Sequence, residues 1–351
     1  MQTPNADAAD AIDAWLGVLP LLRCPVDGQA LHWDFAARQL RAVTADRRYA
    51  VSDGIPCLFA PNEWPEGRTD VTDIVKAFYE KTPFPNYDDL DSRESLARKA
   101  RRGVFARLLD EQLPRPVRVL EAGCGTGQLS NFLGMGWDRV VIGADLCLNS
   151  LRLAKQFRDR FSVNNVNFVQ MNLFRPPFVD DTFDVVVTNG VLHHTADPRG
   201  GFEALARKLK PGGVILVGLY NSLGRLPTLW RRRLIEVFGD GMAVLDSRLR
   251  ATKLNRGRWQ AWFHDQYKHP HESKHSIDET LSWFEKCGIE PLTSIPMVGS
   301  EPFSEDTRLF AKHSMGSRID RVAAQLAMLL EGGSDGGLFI MIGRKLDRSN
   351  P

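Results

Sequence analysis

Cysteine is scarce in this sequence. Five of 351 residues are cysteine, at positions 24, 57, 124, 147 and 287. They are few, odd in number and scattered, which excludes a disulfide scaffold and fits a reducing compartment. Long apolar runs are missing as well. No stretch of about eighteen apolar residues occurs, so no membrane-spanning helix is expected. The opening residues, MQTPNADAADAIDAWLGVLPLL, have no basic segment and no long apolar core. No secretory leader is therefore expected, and a cytoplasmic setting follows. An excess of one charge is also lacking: the formal net charge is +2, which leaves no global basic field and no expectation of a stable nucleic-acid complex. No internal repeat is visible. What remains, 43% hydrophobic and 25% charged residues, is the balance of a globular chain with one large domain or two modest ones.

Five regions separate along the chain. Residues 1–65 hold short strand-like runs broken by turn signals, including Asp27-Gly28 and Asp53-Gly54, and predict a small β-rich module. Residues 66–115 read as a polar linker followed by cover helices, interrupted at TPFPNYDDLD, where Pro83 and Pro85 force an extended path. Residues 116–220 alternate strand and helix. VRVLEAG, RVVIGAD, VNFVQMN, FDVVVTNG and VILVGLY lack polar alternation, which predicts an α/β fold with a parallel sheet covered on both faces. Residues 221–275 break this rhythm with an Arg- and Trp-rich helical insertion that ends in HDQYKHPHESKH, a loop with four of the eight histidines. Residues 276–351 begin with a helix whose Ser276 and Glu279 have capping-box spacing and whose end is marked by Gly288. Two further strands, around PLTSIP and GLFIMIGRK, should complete the sheet.

The most informative stretch is VLEAGCGTGQLS. Gly123, Gly125 and Gly127 fall in a strand-to-helix turn, where glycine lets the backbone approach a ligand closely. Asp145 ends the next strand, where a carboxylate can bind the two ribose hydroxyls of a nucleoside. A dinucleotide site needs G-x-G-x-x-G and a helix N-terminus aimed at a pyrophosphate. Here the pattern is G-x-G-x-G with Glu121 beside it. That carboxylate is a poor neighbour for a pyrophosphate and suits a cofactor with a positive end.

LEAGCGTG resembles motif I of the class I S-adenosylmethionine (SAM) dependent methyltransferases, similar to the UbiE or type 11 group. GADLCLNSL, FVQMNLFRPPF, FDVVVTNGVLHHTADP and LKPGGVILVG resemble the motifs that follow, in order, over residues 116–220. The resemblance implies a seven-stranded Rossmann-like sheet with helices on both faces and SAM as cofactor. It implies that Gly123, Gly125 and Gly127 underlie the methionine and ribose, and that Glu121 meets the methionine ammonium. Asp145 would hold the ribose hydroxyls, Leu146 would lie beside the adenine, and Leu173 would join the cofactor-binding set. Asn172 stands where the family usually has Asp, at the adenine amino group, and Asn189 at the methionine end. The front stretches LRCPVDGQAL and RRYAVSDGIPCLF are similar to the Trm112-like, zinc-ribbon-related module. Position 27 is Asp where a cysteine pair would close, and Cys57 is alone in its half. Structural zinc wants four Cys or His ligands, so a degenerate, metal-free module packed on the catalytic domain is expected.

The acceptor site is less legible. KAFYEKTPFPNYDDLD resembles a Tyr-Glu-x-x-Pro-(aromatic)-Pro segment that precedes some methyltransferase domains, and places Tyr79, Phe84 and Tyr87 in a cover over the methyl donor. His193 and His194, in the loop after the fourth strand, are expected to face the acceptor. HDQYKHPHESKH reads as an active-site lid in which Tyr267, His271 and His275 bind the acceptor or take its proton, because a histidine titrates near neutral pH. A polar loop with no catalytic part is the alternative. No metal is expected, since methyl transfer from a sulfonium needs alignment and exclusion of water rather than a Lewis acid. Within the insertion, YNSLGRLPTLWRRRLIEVFGDG predicts an amphipathic helix with Leu226, Leu229, Ile235 and Phe238 buried and arginines outward. Contact with an anionic membrane surface or with RNA phosphates is an alternative use of those arginines. The sequence thus reads as a SAM-dependent methyltransferase with a small-molecule acceptor bearing a thiol, oxygen or nitrogen. Methylation of RNA or a translation-related protein, and a non-catalytic SAM-binding regulator, remain open, as does the oligomeric state.

Overall fold

The computed structural model describes the chain apart from residues 1–14, 16, 45, 65–68, 86, 88–91, 252–255, 300–301, 331–335 and 348–351. Most of the opening stretch read for a leader, and part of the expected linker, lie outside the described residues. Among the described residues, eleven strands form one sheet: β1 (Leu31–Asp34), β2 (Gln39–Ala42), β3 (Arg48–Ser52), β4 (Ile55–Leu58), β5 (Val117–Ala122), β6 (Arg139–Asp145), β7 (Val166–Met171), β8 (Phe183–Asn189), β9 (Leu209–Tyr220), β10 (Ile289–Ile295) and β11 (Leu338–Lys345). Their spatial order is β1-β2-β3-β4-β7-β6-β5-β8-β9-β11-β10. The strands β5 to β9 pair in parallel, and β11 closes antiparallel between β9 and β10. The seven strands from β7 to β10 are the expected Rossmann-like sheet.

Consecutive residues of a strand face opposite sides of the sheet, and here both sides are apolar. Leu120, Ile142, Val169, Val186 and Ile215 belong to one core, and Val119, Val141, Phe168, Val185 and Leu216 to the other. That is why these strands read as unbroken apolar runs. It also fixes the direction of the strand ends, so that the turns after β5, β6, β7 and β8 meet at one edge of the sheet.

The front module does not stand apart. Its antiparallel strands continue the same sheet, because β4 pairs parallel with β7 through Cys57 opposite Gln170 and Leu58 opposite Met171. Its cysteines have protein partners: Cys24 Sγ lies 3.1 Å from the Tyr49 hydroxyl, and Cys57 Sγ is 3.6 Å from the Ile55 carbonyl. Among the described residues, no group of three or more His, Cys, Asp or Glu side chains is set to hold a metal ion. Nor is any described helix long and apolar enough to cross a membrane.

The insertion folds on itself. Helices Leu226–Phe238, Ser247–Ala251 and Arg256–Phe263 and a π-helical turn, His264–Lys268, enclose a small core of Ile235, Ala243, Leu249, Phe263 and Tyr267. Ile235 is buried as expected, but Leu226 and Phe238 are 43% and 69% exposed. The helix rests on its Ile235 side, with Leu229 and Leu234 half-buried, while Leu226, Trp230, Val237 and Phe238 face outward.

Candidate active site

The turn after β5 carries Gly123, Gly125 and Gly127 at φ of +78°, +53° and +68°. A Cβ at Gly123 would collide with the Val191 side chain, and one at Gly125 with the Phe84 carbonyl oxygen. Both glycines line a cavity of about 640 Å³, within the usual range of small-molecule sites. Gly127 does not line it. A Cβ there would lie 2.7 Å from Ala154 Cβ and from the Phe168 ring, so this glycine serves helix-to-sheet packing rather than the ligand. Gly127→Ala should cost about 2 kcal/mol or more, through both the left-handed backbone and overpacking. A lowered urea midpoint will register it.

Asp145, at the end of β6, accepts hydrogen bonds from the Gly125 and Cys147 N–H groups, both at 2.8 Å. Its carboxylate is thereby fixed at the cavity wall. Glu121 lines the same cavity, accepts a hydrogen bond from Ser130 Oγ, and is pushed up to about 7 by desolvation. A cationic ligand is what would hold it ionised. Leu146, Leu173 and Asn189 line the same cavity. A carboxylate anchored to the glycine turn, a second one short of a counter-charge, and bare backbone between them fit the nucleoside and amino-acid ends of SAM.

Asn172 departs from expectation. Its Nδ2 donates to the Ala60 carbonyl (2.8 Å) and to Asn62 Oδ1 (2.6 Å), and its Oδ1 accepts from the Phe174 N–H at 3.0 Å. It is buried, does not line the cavity, and ties residues 60–62 to the end of β7. An aspartate could not make those two donor bonds.

The cover segment divides in two. Tyr79 and Phe84 line the cavity, with the Phe84 carbonyl accepting the Thr126 N–H at 3.3 Å. Tyr87 instead sits behind the glycine turn. Its hydroxyl donates to the Thr126 carbonyl at 2.8 Å and accepts from Asn131, and its ring stacks on Phe157.

The two histidines after β8 are buried and hydrogen-bonded in series. The Tyr220 N–H donates to His193 Nδ1, so His193 carries its proton on Nε2. His194 Nδ1 faces the His271 carbonyl at 2.9 Å and must donate to it, so His194 Nε2 is an acceptor. The 3.1 Å contact between the two Nε2 atoms is then a hydrogen bond from His193 to His194. Burial pushes the His194 imidazole down to about 3, and His193 well below its ordinary value. Both are neutral and the only ring lone pair of His194 is taken, so neither offers a free base. His194 touches the cavity as a wall, while His193 stacks under Tyr220.

The lid loop behaves differently from its reading. The Tyr267 hydroxyl donates to Asp246 at 2.7 Å inside the insertion's own core. His271 Nε2 lies 3.2 Å from the Thr195 carbonyl. His275 is held between Ser273 and Glu279 against the Trp283 ring. None of the three lines the cavity. Their neighbours Asp265 and Gln266 do, because the π-helical turn widens the helix and brings both to the cavity while Tyr267 turns into the insertion's core. Asp265 accepts from the Tyr79 hydroxyl at 3.1 Å and from Gln266 Nε2 at 2.8 Å. Burial raises its carboxyl above the ordinary range. His269, stacked 3.7 Å from His194, accepts the His271 N–H on Nδ1 and leaves its buried Nε2–H without a partner beside this pair. The one signal for Asp265 in the sequence was that it is the sole carboxylate between residues 247 and 271.

Behind this group lies Arg225, fully buried. It pairs with Glu272 at 2.7 Å, donates to Gln266 Oε1 at 2.5 Å and to the Gly336 carbonyl at 2.9 Å, and lies over the Tyr220 ring. Gln266, so fixed, also donates to the Tyr220 hydroxyl at 3.0 Å.

Parts of the chain resemble known proteins. Residues 120–217 match the family described as a methyltransferase domain. An uncharacterized protein of Synechococcus sp. is 29% identical over 246 residues, covering 62% of this chain and 59% of that protein. A ubiquinone/menaquinone biosynthesis C-methyltransferase of Pectobacterium atrosepticum is 35% identical over 108 residues, covering 29% of this chain and 42% of that enzyme. The chain thus spans about half the length of these relatives. A solved complex of the Haloferax volcanii Trm112 methyltransferase activator and a methyltransferase aligns over 73% of this chain and 94% of the matched one, at 15% identity and a TM-score of 0.45. The matched domain contains the glycine turn, Asp145, Asn189 and His194, whereas Tyr79 and Asp265 lie outside it.

Proposed function

We propose that this chain, which carries a class I SAM-dependent methyltransferase domain, methylates a small-molecule acceptor whose proton is taken by Asp265. The observation that carries the reading is a single cavity of about 640 Å³ with the Asp145–glycine end and the Tyr79–Asp265 end both in its wall. SAM supplies a methyl group on a positively charged sulfur. Asp145 receives the ribose hydroxyls, and Glu121 supplies negative charge toward the amino-acid end. Tyr79, Phe84 and Trp262 wall the remaining space and exclude water from the reacting centre. Tyr79 and Gln266 each donate to one oxygen of Asp265, which holds its carboxylate plane and leaves lone pairs for an acceptor O–H, N–H or S–H. A carboxyl raised by burial is a better base than an exposed one at neutral pH.

Asp265→Asn should lower kcat by about a hundredfold or more with SAM affinity unchanged, and Tyr79→Phe by about tenfold. Wild-type activity should fall as pH drops through the raised Asp265 titration, above the range of an exposed carboxylate. That limb should vanish in Asp265→Asn. Retained activity in the asparagine variant would remove Asp265 from the reaction. The class of acceptor is tested by calorimetric titration with SAM and S-adenosylhomocysteine, then a methyl-transfer screen over small thiols, phenols, amines, carboxylic acids and bulk RNA. Turnover on one small class supports the reading. Turnover on RNA or protein alone replaces the acceptor, and binding with no turnover on any of them makes the chain a SAM-binding regulator.

A further inference from the structure

The insertion presents an outer face that the cavity does not use. On helix Leu226–Phe238, the residues Leu226, Trp230, Arg233 and Val237 follow one another at steps of four, three and four, and so share one side. They point to solvent: Leu226 is 43%, Trp230 68% and Val237 61% exposed, and the Arg233 side chain 74%. Phe238, one position on and about 100° round the helix, is 69% exposed, and Val244 and Leu245, on the turn that follows, are 58% and 46% exposed. Of the seventeen large hydrophobic residues exposed among the described residues, these are six, gathered within twenty positions. A concentration of that kind marks a docking surface rather than ordinary solvent-facing residues.

The charge of the segment selects the partner. Residues 226–258 hold eight Lys or Arg against three Asp or Glu, in a chain whose totals are 45 and 43. The segment's excess of five exceeds the chain's excess of two, so the rest of the chain is net negative and the basic field is local to this insertion. Arg232 and Arg233 share the single carboxylate of Glu236, at 3.4 and 3.1 Å, which leaves a net positive charge on the helix. Nucleic-acid phosphates would engage the arginines and leave Leu226, Val237 and Phe238 in water. An anionic bilayer engages both: arginines with headgroups, apolar side chains at the acyl boundary, and the Trp230 ring at the level between.

We infer that helix Leu226–Phe238 and the turn Asp240–Leu245 dock the protein peripherally on an anionic lipid surface. The same insertion supplies Arg248, Trp262 and Asp265 to the cavity wall, so docking would bring the cavity to the bilayer along with it.

Sedimentation of the full chain with phosphatidylcholine vesicles, with and without phosphatidylglycerol, tests this. Binding should require phosphatidylglycerol and weaken at high salt. Trp230→Glu combined with Phe238→Glu should weaken it at least about tenfold, as the loss of two inserted side chains requires. Both positions are exposed and outside the cavity, so unchanged SAM titration certifies that the variant is folded. Three results would overturn the inference: no association with anionic vesicles, association that survives the double substitution, or a face that the same substitutions show to be holding bulk RNA or a second copy of the chain instead.

Discussion

Asp145→Ala should abolish measurable binding of SAM and of S-adenosylhomocysteine in calorimetric titration. The side chain has two duties. It lines the cavity, and it holds the glycine turn through Gly125 while fixing its own angle through Cys147. A hydrogen bond to a charged group contributes about 1.5–3 kcal/mol, so losing two to a ribose corresponds to a fall of about a hundredfold or more. Slackening of the turn adds to that. Asp145→Asn keeps the shape and one acceptor oxygen, and should lose less. Gly127→Ala is the control, since that residue packs helix on sheet and does not line the cavity. Its cost should appear in stability rather than affinity. Near-normal affinity in Asp145→Ala would mean that the nucleoside lies elsewhere.

Arg225→Met should destabilise the protein by about 3–5 kcal/mol, the usual cost of removing one partner from a buried ion pair. Glu272, whose side chain is 6% exposed, would be left buried without its cation. Gln266 and the Gly336 carbonyl would also lose their donor. Arg225→Lys should recover only part of this, because an ammonium cannot reproduce the planar fork that reaches Glu272, Gln266 and Gly336 together. Urea unfolding measures the stability. The kinetic consequence is separate: Gln266 orients Asp265 and contacts Tyr220, so kcat should fall in both variants at temperatures where they remain folded. Adding Glu272→Leu to Arg225→Met should restore much of the lost stability but not kcat. If Arg225→Met leaves the urea midpoint in place, this arginine is not what holds the π-helical turn.

The placement of Glu121, Gly123, Gly125, Asp145 and Leu146 around one cavity was legible because it is set locally. Glycines 123 and 125, Glu121, Leu146 and Asp145 lie on strand ends or in the turns that follow them, and a parallel strand with apolar residues on both faces dictates where its end points. Asn172 was misplaced because its role depends on residues 60–62, about 110 positions away in sequence. The Tyr79–Asp265 end of the cavity was harder to read for the same reason. Histidine content drew attention to His271 and His275, yet the tautomers of His193 and His194 are set by a backbone N–H of β9 and by the His271 carbonyl, which no local pattern reveals. A single π-helical turn exchanged Tyr267 for Asp265 and Gln266 at the cavity, since one added residue per turn rotates every later side chain by about 100°.

By itself the sequence determined the alternation of strands and helices, the glycine turn, and the carboxylate that follows it. Each of these depends on the residue's own backbone freedom or on apolar periodicity over a few positions. Only the tertiary structure decided that the front module joins the central sheet through β4 and β7, and that Tyr79 meets Asp265 across 186 positions. It likewise decided that Arg225, in a segment read as solvent-facing, is the most enclosed charge of the insertion. Burial of a charge or the pairing of an edge strand is settled by which distant groups arrive with complementary donors and acceptors, and composition over a short window does not encode that.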